Sequence, residues 1–202
     1  MLTICYVVLI AALVIVSIIG DVVISHRYFV ELPVVRALWD NSTHGAVAAI
    51  CWMLTCGNSP SLDAWKESLL CGLIACLVDV DHFIASGSLK LKEATNLKNR
   101  PFLHCTTVLV LVVVAVVTLA KLLGRPHVFR IGMVTFVAVM THHLRDALRR
   151  GLWLWPFGST PPVRPEAYYV GLATIVFSSA LLTRDSAPPR VARYNEAAFT
   201  VV

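Results

Sequence analysis

Six apolar segments separated by short polar stretches run along almost the whole chain, and they constrain the fold more than any other feature. They cover approximately residues 2–22, 42–60, 65–83, 104–122, 128–145 and 167–183. A helix needs about 20 residues to cross the hydrocarbon of a bilayer. The segments therefore predict an all-α membrane protein, a polytopic helical bundle with about six transmembrane helices.

The composition agrees with a chain whose helices face lipid. Of the 202 residues, 57% are hydrophobic and 14% are charged, and the mean hydropathy is +0.75. A soluble domain carries about 25% charged residues. The formal net charge is +5, but the basic residues lie between the apolar segments, where they set membrane orientation. We therefore expect membrane lipids and no nucleic acid as partners. The sequence predicts one membrane-embedded domain over residues 1–183 and a disordered polar tail over 184–202.

The third and fifth apolar segments are long enough to cross only if the ionisable residues at their ends are included. For the third segment these are Asp79, Asp81 and His82, and for the fifth they are His142, His143 and Asp146. Ionisable groups at membrane depth are costly and usually line a protein interior or a water-filled cavity. The alternative is that these residues lie in the headgroup region, where charges are common.

The direction of the chain reverses at each crossing, and this places the polar ends together. With six crossings, the ends of segments one, three and five share a side with the starts of segments two, four and six. The ionisable residues at these positions are Asp21, Asp40, His44, Asp79, Asp81, His82, Arg100, His104, His142, His143 and Asp146. Charges scattered at random would not all fall on one side, so we predict a polar cluster there.

The spacing within the cluster is typical of paired ligands. Asp40 and His44 are four residues apart, as are His142 and Asp146, and helix geometry places such pairs on one face. Imidazole with carboxylate binds zinc, manganese or iron, and a carboxylate can instead orient a ligating imidazole. The predicted ligands are Asp79, Asp81, His82, His104, His142 and Asp146, with His44 and Asp40 as further candidates. Zinc is the expected ion, and the number of carboxylates allows two ions.

Several sequence blocks resemble known families. The blocks are Asp40-Asn-Ser-Thr-His44, Asp79-Val-Asp-His82, Asn99-Arg-Pro-Phe-Leu-His-Cys105 and Thr141-His-His-Leu-Arg-Asp146 through Gly151-Leu-Trp-Leu-Trp-Pro-Phe-Gly158. In this order they resemble the transmembrane protein 267 family of animals and, more distantly, the bacterial YdjM-like family, described as membrane-bound metal-dependent hydrolases. The resemblance implies a helical membrane protein that binds metal. The second block departs from the bacterial pattern, with Asn99 in place of its first His.

The first functional hypothesis is a metal-dependent hydrolase that acts on a lipid or phosphoester at the membrane surface. His143 is the candidate general base, and Arg100 is the candidate contact for an anionic group such as phosphate. The second hypothesis is a non-catalytic scaffold or partner subunit whose cluster is structural, which the altered second block favours. A metal-free lipid phosphate phosphatase is disfavoured by spacing, because Lys92 lies one residue too far from Arg100.

The distribution of basic residues predicts the orientation. Ten Lys and Arg residues fall on the side of the cluster: Arg27, Arg36, Lys90, Lys92, Lys98, Arg100, Arg145, Arg149, Arg150 and Arg164. The other seven are Lys66, Lys121, Arg125, Arg130, Arg184, Arg190 and Arg193. Because positive charges favour the cytoplasmic side, we expect the cluster to face the cytoplasm.

Overall fold

A computed structural model describes residues 2–57 and 61–184; the structure is 80% helical, with no β-strand in this part of the chain. The α-helices in chain order are α1 (Leu2–Ser25), α2 (Arg27–Val30), α3 (Pro33–Cys56), α4 (Leu62–Leu77), α5 (Val80–Ser86), α6 (Leu91–Ala94), α7 (Thr106–Leu122), α8 (Pro126–Arg150) and α9 (Pro165–Arg184). A 3-10 turn at Phe102–His104 precedes α7. The tail predicted for residues 184–202 lies outside the described part of the chain from residue 185 onward.

Three helical segments are long and apolar enough to cross a membrane: Ile4–Ser25, Leu62–Ser86 and Pro165–Arg184. The shorter helix α7 is also apolar. Many of their apolar side chains, including Ile18, Leu73 and Leu111, point away from the protein and suit a lipid environment. The all-α membrane fold is therefore confirmed. Six crossings are not confirmed, because the 24-residue α3 and the 25-residue α8 contain ionisable residues of the predicted cluster.

Two helices begin and end differently from the sequence prediction. Helix α3 begins at Pro33, nine residues before the predicted boundary at 42, because proline is favoured in the first turn of a helix. Asp40 and His44 therefore lie inside α3. Helix α8 ends at Arg150, five residues after the predicted boundary at 145. It is capped by Gly151, whose φ is 69° and where a Cβ atom would collide with the Thr160 carbonyl. The chain turns there, and residues 151–164 fold back over the end of α8.

Close helix packing places α3 beside α4, and α8 packs against both of them and against α7 and α9. A Cβ atom on Gly72 would lie 2.8 Å from the Gly45 carbonyl oxygen, so the two glycines allow the backbones to approach closely. Buried Trp52, Met133 and Val137 belong to the core between these helices. The result is a core in which α8 is central.

A two-residue turn at Val78 and Asp79 interrupts the helix at one end of the bundle, between α4 and α5. Asp79 lies at this break and Asp81 lies in the first turn of α5. The segment 87–104 then returns toward α8, and the Thr106 amide donates a hydrogen bond to the Trp153 carbonyl at 3.0 Å. Polar side chains from four parts of the chain therefore meet at this end.

Candidate metal centre

The structure brings the predicted cluster residues together at one end of the bundle. They come from α3, from the α4–α5 break, from the 3-10 turn and from the second half of α8. His104 is at the centre of the cluster, because its ring nitrogens lie 3.3 Å from carboxylate oxygens of Asp79, Asp81 and Asp146. His104 is almost completely buried, and His142 is completely buried. Convergence of these residues on one side of the protein agrees with the sequence prediction.

The rings of His104 and His142 turn the same nitrogen toward each other. Their Nε2 atoms lie 3.4 Å apart. The Nδ1 atom of His142 is 2.9 Å from the Ala75 carbonyl oxygen, so this nitrogen carries the proton that it donates. The Nδ1 atom of His104 faces the buried Asp81 carboxylate at 3.3 Å. With both Nδ1 atoms protonated, the two Nε2 atoms face each other favourably only when a cation, either a proton or a metal ion, lies between them.

Two carboxylates complete this donor set. The Oδ1 atom of Asp79 lies 3.3 Å from the Nε2 atom of His104 and 3.6 Å from that of His142. The Oδ2 atom of Asp146 lies 3.3 Å and 3.8 Å from the same two nitrogens. Five distances between four donor atoms therefore fall between 3.3 and 3.8 Å.

These distances test whether a metal ion fits. Zinc bonds to nitrogen and oxygen of about 2.0–2.1 Å place neighbouring donors of a tetrahedral site about 3.3–3.4 Å apart. The observed distances match this value or exceed it by a few tenths of an ångström. Two imidazoles and two carboxylates are also a donor set that suits zinc, manganese or iron. The three donors of Asp79, His104 and His142 therefore fit a divalent ion, and Asp146 lies within 3.8 Å of both imidazole nitrogens.

Asp81 occupies a different position from the other two cluster carboxylates. Its Oδ2 atom accepts hydrogen bonds from the Leu103 amide at 2.6 Å and from the Nδ1 side of His104. It therefore contacts the ring nitrogen that faces away from His142. A buried carboxylate in this place fixes the tautomer and rotation of a ligating imidazole.

His44 and Asp40 form the edge of the cluster on α3. The His44 ring stacks on His142 with ring centroids 4.0 Å apart, and its Nε2 atom lies 3.6 Å from Asp146 and 3.9 Å from Asp40. Arg149 binds both carboxylates, at 2.8 Å from each. The negative charge of Asp40 is thus already balanced by an arginine, whereas His44 remains within reach of the donor set.

The other two predicted histidines lie beside the centre. His82 donates from Nδ1 to the Ala94 carbonyl at 3.0 Å, and its Nε2 atom is 3.9 Å from Asp79. His143 donates from Nε2 to the Leu103 carbonyl at 2.9 Å. The buried Nδ1 atom of His143 has no hydrogen-bond partner among the described residues.

Arg100 connects the 3-10 turn to α8. Its guanidinium donates to the carbonyl oxygens of Gly151, at 2.9 Å, and of Arg150. These carbonyls are at the end of α8, where a positive charge is favoured. Arg100 therefore has a structural contact that the sequence hypothesis of an anion-binding residue did not include.

The electrostatic environment of His104 favours positive charge at this position. Burial lowers the pKa of His104, but its hydrogen bonds to Asp146, Asp79 and Asp81 outweigh burial and raise the pKa to about 11. The cluster therefore holds a cation strongly, either as a proton on His104 or as a metal ion that replaces it.

Sequence reasoning missed two arginines of α8. Arg145 is buried and donates to Asp21 at 2.9 Å, joining α8 to α1. Arg149 joins Asp40 to Asp146, as described above. For Arg149 the signal in the sequence was its three-residue spacing from Asp146, whereas no spacing along the chain indicates that Arg145 contacts Asp21. The orientation prediction includes both arginines only as basic residues on the side of the cluster.

Comparison with known proteins supports the resemblance seen in the sequence. The family described as YdjM inner membrane protein matches residues 40–201. Transmembrane protein 267 of mouse is 40% identical over 136 residues, which are 67% of this chain and 62% of the relative. The Xenopus laevis protein of the same name is 38% identical over 69% of this chain and 65% of the relative.

The zebrafish relative extends the comparison over more of the chain. Transmembrane protein 267 of Danio rerio is 33% identical over 173 residues, covering 78% of this chain and 76% of the relative. The chain thus spans less than two thirds of the mouse and Xenopus proteins that it matches. No solved structure gives a significant match. The chain belongs to the YdjM inner membrane protein family and to the transmembrane protein 267 family of animals.

Proposed function

We propose that this membrane protein is a metal-dependent hydrolase with one divalent ion held by Asp79, His104 and His142, and with Asp146 as the fourth donor. The observation that carries the proposal is the facing pair of Nε2 atoms between two carboxylates. Zinc is the preferred ion for this donor set, with manganese or iron as alternatives. Two further groups could hold an ion, His44 with His142 and Asp146, and Asp81 with His82 and His104. Each shares donor residues with this set, which favours one ion over two.

The surroundings of the donor set support catalysis rather than simple metal storage. The histidine side of the set is buried, whereas the carboxylates of Asp79 and Asp146 are 30% and 21% exposed. Reactants therefore approach from the carboxylate side. A divalent ion, when bound, supplies Lewis-acid activation of water and of an ester oxygen.

His143 is the proposed general base. It lines a small cavity together with His104 and Asp146, and its buried Nδ1 atom has no hydrogen-bond partner among the described residues. In the proposed hydrolysis, this nitrogen accepts a proton from the attacking water, whose oxygen bonds to the phosphorus or carbonyl carbon of the ester. The bond to the leaving oxygen breaks, and the proton passes to that oxygen.

A lipid substrate is supported by the loop that follows α8. Trp155 and Phe157 are 59% and 90% exposed in this loop, which lies at the same end of the bundle as the cluster. Aromatic side chains are enriched at the membrane–water interface. The loop would keep the centre at the depth of lipid headgroups, so a phosphoester or carboxylic ester of a lipid is the proposed substrate class.

A non-catalytic membrane scaffold is the second candidate. It is favoured by the three carboxylates around His104, because a proton on this histidine balances part of their charge without a metal ion. In that case the cluster would hold α3, α4 and α8 together, and the protein would act through a partner.

We also propose that the cluster end faces the cytoplasm. The support is the excess of ten basic residues over seven on that side, together with the positive-inside rule. Glycosylation acceptor sites inserted separately after Gly87 and after Gly124 would test it. Modification at Gly124 alone is expected, and modification at Gly87 alone would reverse the assignment.

Metal content is the first test of the proposed function. The full chain would be purified in detergent, loaded with zinc, manganese or iron, and its metal measured by elemental mass spectrometry. The variant His104→Gln/His142→Gln removes two donors and retains side chains that can form hydrogen bonds. A matched control, His26→Ala/His127→Ala, changes two exposed histidines outside the cluster.

Hydrolysis assays on phospholipids and soluble phosphoesters complete the test. We expect about one ion per chain in the wild type and control, none in the cluster variant, and chelator-sensitive hydrolysis that follows metal content. No bound metal in the loaded wild type would refute the proposal. Bound metal without hydrolysis of any tested ester would favour the scaffold.

A further inference from the structure

A basic cavity of about 210 Å³ lies next to the metal centre, between the segment 95–101 and the end of α8. Lys98, Arg100 and Arg150 line it, together with polar Asn99 and His82. None of the lining residues in the described part of the chain is acidic. Three cations without a carboxylate in the cavity wall favour an anion, and the charge contrasts with the acidic cluster nearby.

The three cations do not play the same role. Arg100 already donates to the carbonyl oxygens of Arg150 and Gly151, so its position is set by backbone contacts. Burial lowers the pKa of Arg100, the nearby charge of Arg150 lowers it further, and the Asp146 carboxylate partly opposes both. The two arginines therefore repel each other, and an anion between them would relieve this repulsion. The side chains of Lys98 and Arg150 have no ion pair or hydrogen bond to another described residue.

The cavity leads to the metal centre. A second, smaller cavity shares Arg100, Pro101 and Arg150 with the basic cavity and also reaches His104 and Asp146. A group held at Lys98 and Arg150 would therefore have its neighbouring atoms directed toward the donor set. With a volume of about 210 Å³, the basic cavity is large enough for a phosphate group and its first substituent atoms.

We propose that the cavity is an anion subsite that binds a phosphate group through Lys98 and Arg150, with Arg100 as the residue that holds the cavity wall in place. Identifying the bound group as part of the substrate rests on the proposed hydrolase function; the binding itself does not. Arginine and lysine are the residues that bind phosphate in proteins, through charge-assisted hydrogen bonds. The shared chemistry is a phosphate group, carried either by a lipid headgroup or by a soluble phosphate.

The test is phosphate binding by the metal-free full chain in detergent, measured by calorimetry with inorganic phosphate at constant ionic strength. The variant Lys98→Ala/Arg150→Ala removes the two proposed contacts. The control Lys90→Ala/Lys92→Ala removes two positive charges from the same polar segment but outside the cavity. A second arm adds phosphatidic acid or phosphatidylcholine to the same proteins and measures bound lipid by native mass spectrometry.

We expect the cavity variant to bind phosphate or phosphatidic acid at least roughly tenfold more weakly than the wild type and control, because it removes both charge-assisted hydrogen bonds to the phosphate group. A difference only with phosphatidic acid assigns a lipid source, and a difference only with inorganic phosphate assigns a soluble one. Equal binding by all three proteins, equal weakening in the control, or no binding by the wild type would overturn the proposal.

Metal content separates this proposal from the previous one. Lys98 and Arg150 lie outside the donor set, so the cavity variant should retain wild-type metal content. If the wild type binds no metal but phosphate binding still depends on Lys98 and Arg150, only the hydrolase proposal fails. If metal binds normally and phosphate binding is independent of both residues, only the subsite proposal fails.

Discussion

The Nε2 atoms of His104 and His142 lie 3.4 Å apart, and the other nitrogen of each ring faces an acceptor, Asp81 or the Ala75 carbonyl. This arrangement determines which nitrogen is available for a ligand. The two rings come from a 3-10 turn and from the middle of a long helix, and the carboxylates of Asp79 and Asp146 lie on either side of them. The relationship leads to predictions about metal affinity, pH dependence and stability.

Substituting Asp81 by Asn should weaken metal binding without removing a proposed ligand. The neutral amide holds the Nδ1 proton of His104 less strongly, so the ring is less well oriented and its Nε2 atom is less basic. Loss of such a contact lowers metal affinity by about 10–100-fold. Competition with a chromophoric chelator measures the affinity. Asp63→Asn, at an exposed position of α4, is the control, and unchanged affinity in Asp81→Asn would contradict the assigned role.

Stability of the metal-free protein should fall as pH rises above neutrality. The folded-state pKa of His104 is raised to about 11 from an ordinary value of 6.5, against burial, by its hydrogen bonds to Asp146, Asp79 and Asp81. The stabilisation is therefore complete below pH 6.5 and is lost as pH approaches 11. Thermal unfolding in detergent between pH 6 and 10 measures this slope. His104→Gln should flatten it, and an unchanged slope in this variant would exclude His104 as its cause.

Metal affinity should rise with pH, whereas the stability of the metal-free protein falls. A metal ion at His104 must displace the proton that the carboxylates hold there, so apparent affinity should rise up to tenfold per pH unit between pH 6.5 and 9. Chelator competition across this range provides the measurement. An affinity that is constant with pH would indicate that the ion does not bind His104.

Removing Arg149 should have opposite effects on the metal-free and metal-bound forms. Its guanidinium binds Asp40 and Asp146 at 2.8 Å each. Arg149→Ala should destabilise the metal-free protein by about 1 kcal/mol, the upper range for partly exposed pairs. It should also tighten metal binding, because Asp146 loses a competing cation. Arg164→Ala, which breaks an exposed pair with Glu166, should change neither quantity. Weaker metal binding in Arg149→Ala would contradict the proposed competition.

The buried Arg145 should make the Asp21 carboxylate important for stability. Asp21→Ala leaves the buried guanidinium without the carboxylate at 2.9 Å, and a lost bond to a charged group costs about 1.5–3 kcal/mol. The double variant Asp21→Ala/Arg145→Leu should recover part of this loss, because it no longer buries an unpaired charge. Thermal unfolding in detergent measures the cycle, and strictly additive effects would show that the pair is not coupled.

The sequence by itself determined the class of fold and the end of the bundle at which the polar residues collect. Lipid-facing helices require long apolar segments, and reversal of the chain at successive crossings places their polar ends together. Both properties depend on the order of residues along the chain. The same order revealed the pairing of His142 with Asp146, because a four-residue spacing places both on one helix face.

Only the tertiary structure decided how these residues face one another. In the structure the Asp81 carboxylate contacts the Nδ1 atom of His104, and Arg149 lies between Asp40 and Asp146. Arg100 donates hydrogen bonds to the last carbonyl oxygens of α8. The structure also showed that α3 begins early and that the helix of the third apolar segment is interrupted at Asp79. These relationships depend on how far each helix is rotated and how closely its neighbours approach, as at Gly45 and Gly72. Packing between distant segments sets both quantities, and residue spacing along the chain does not record it.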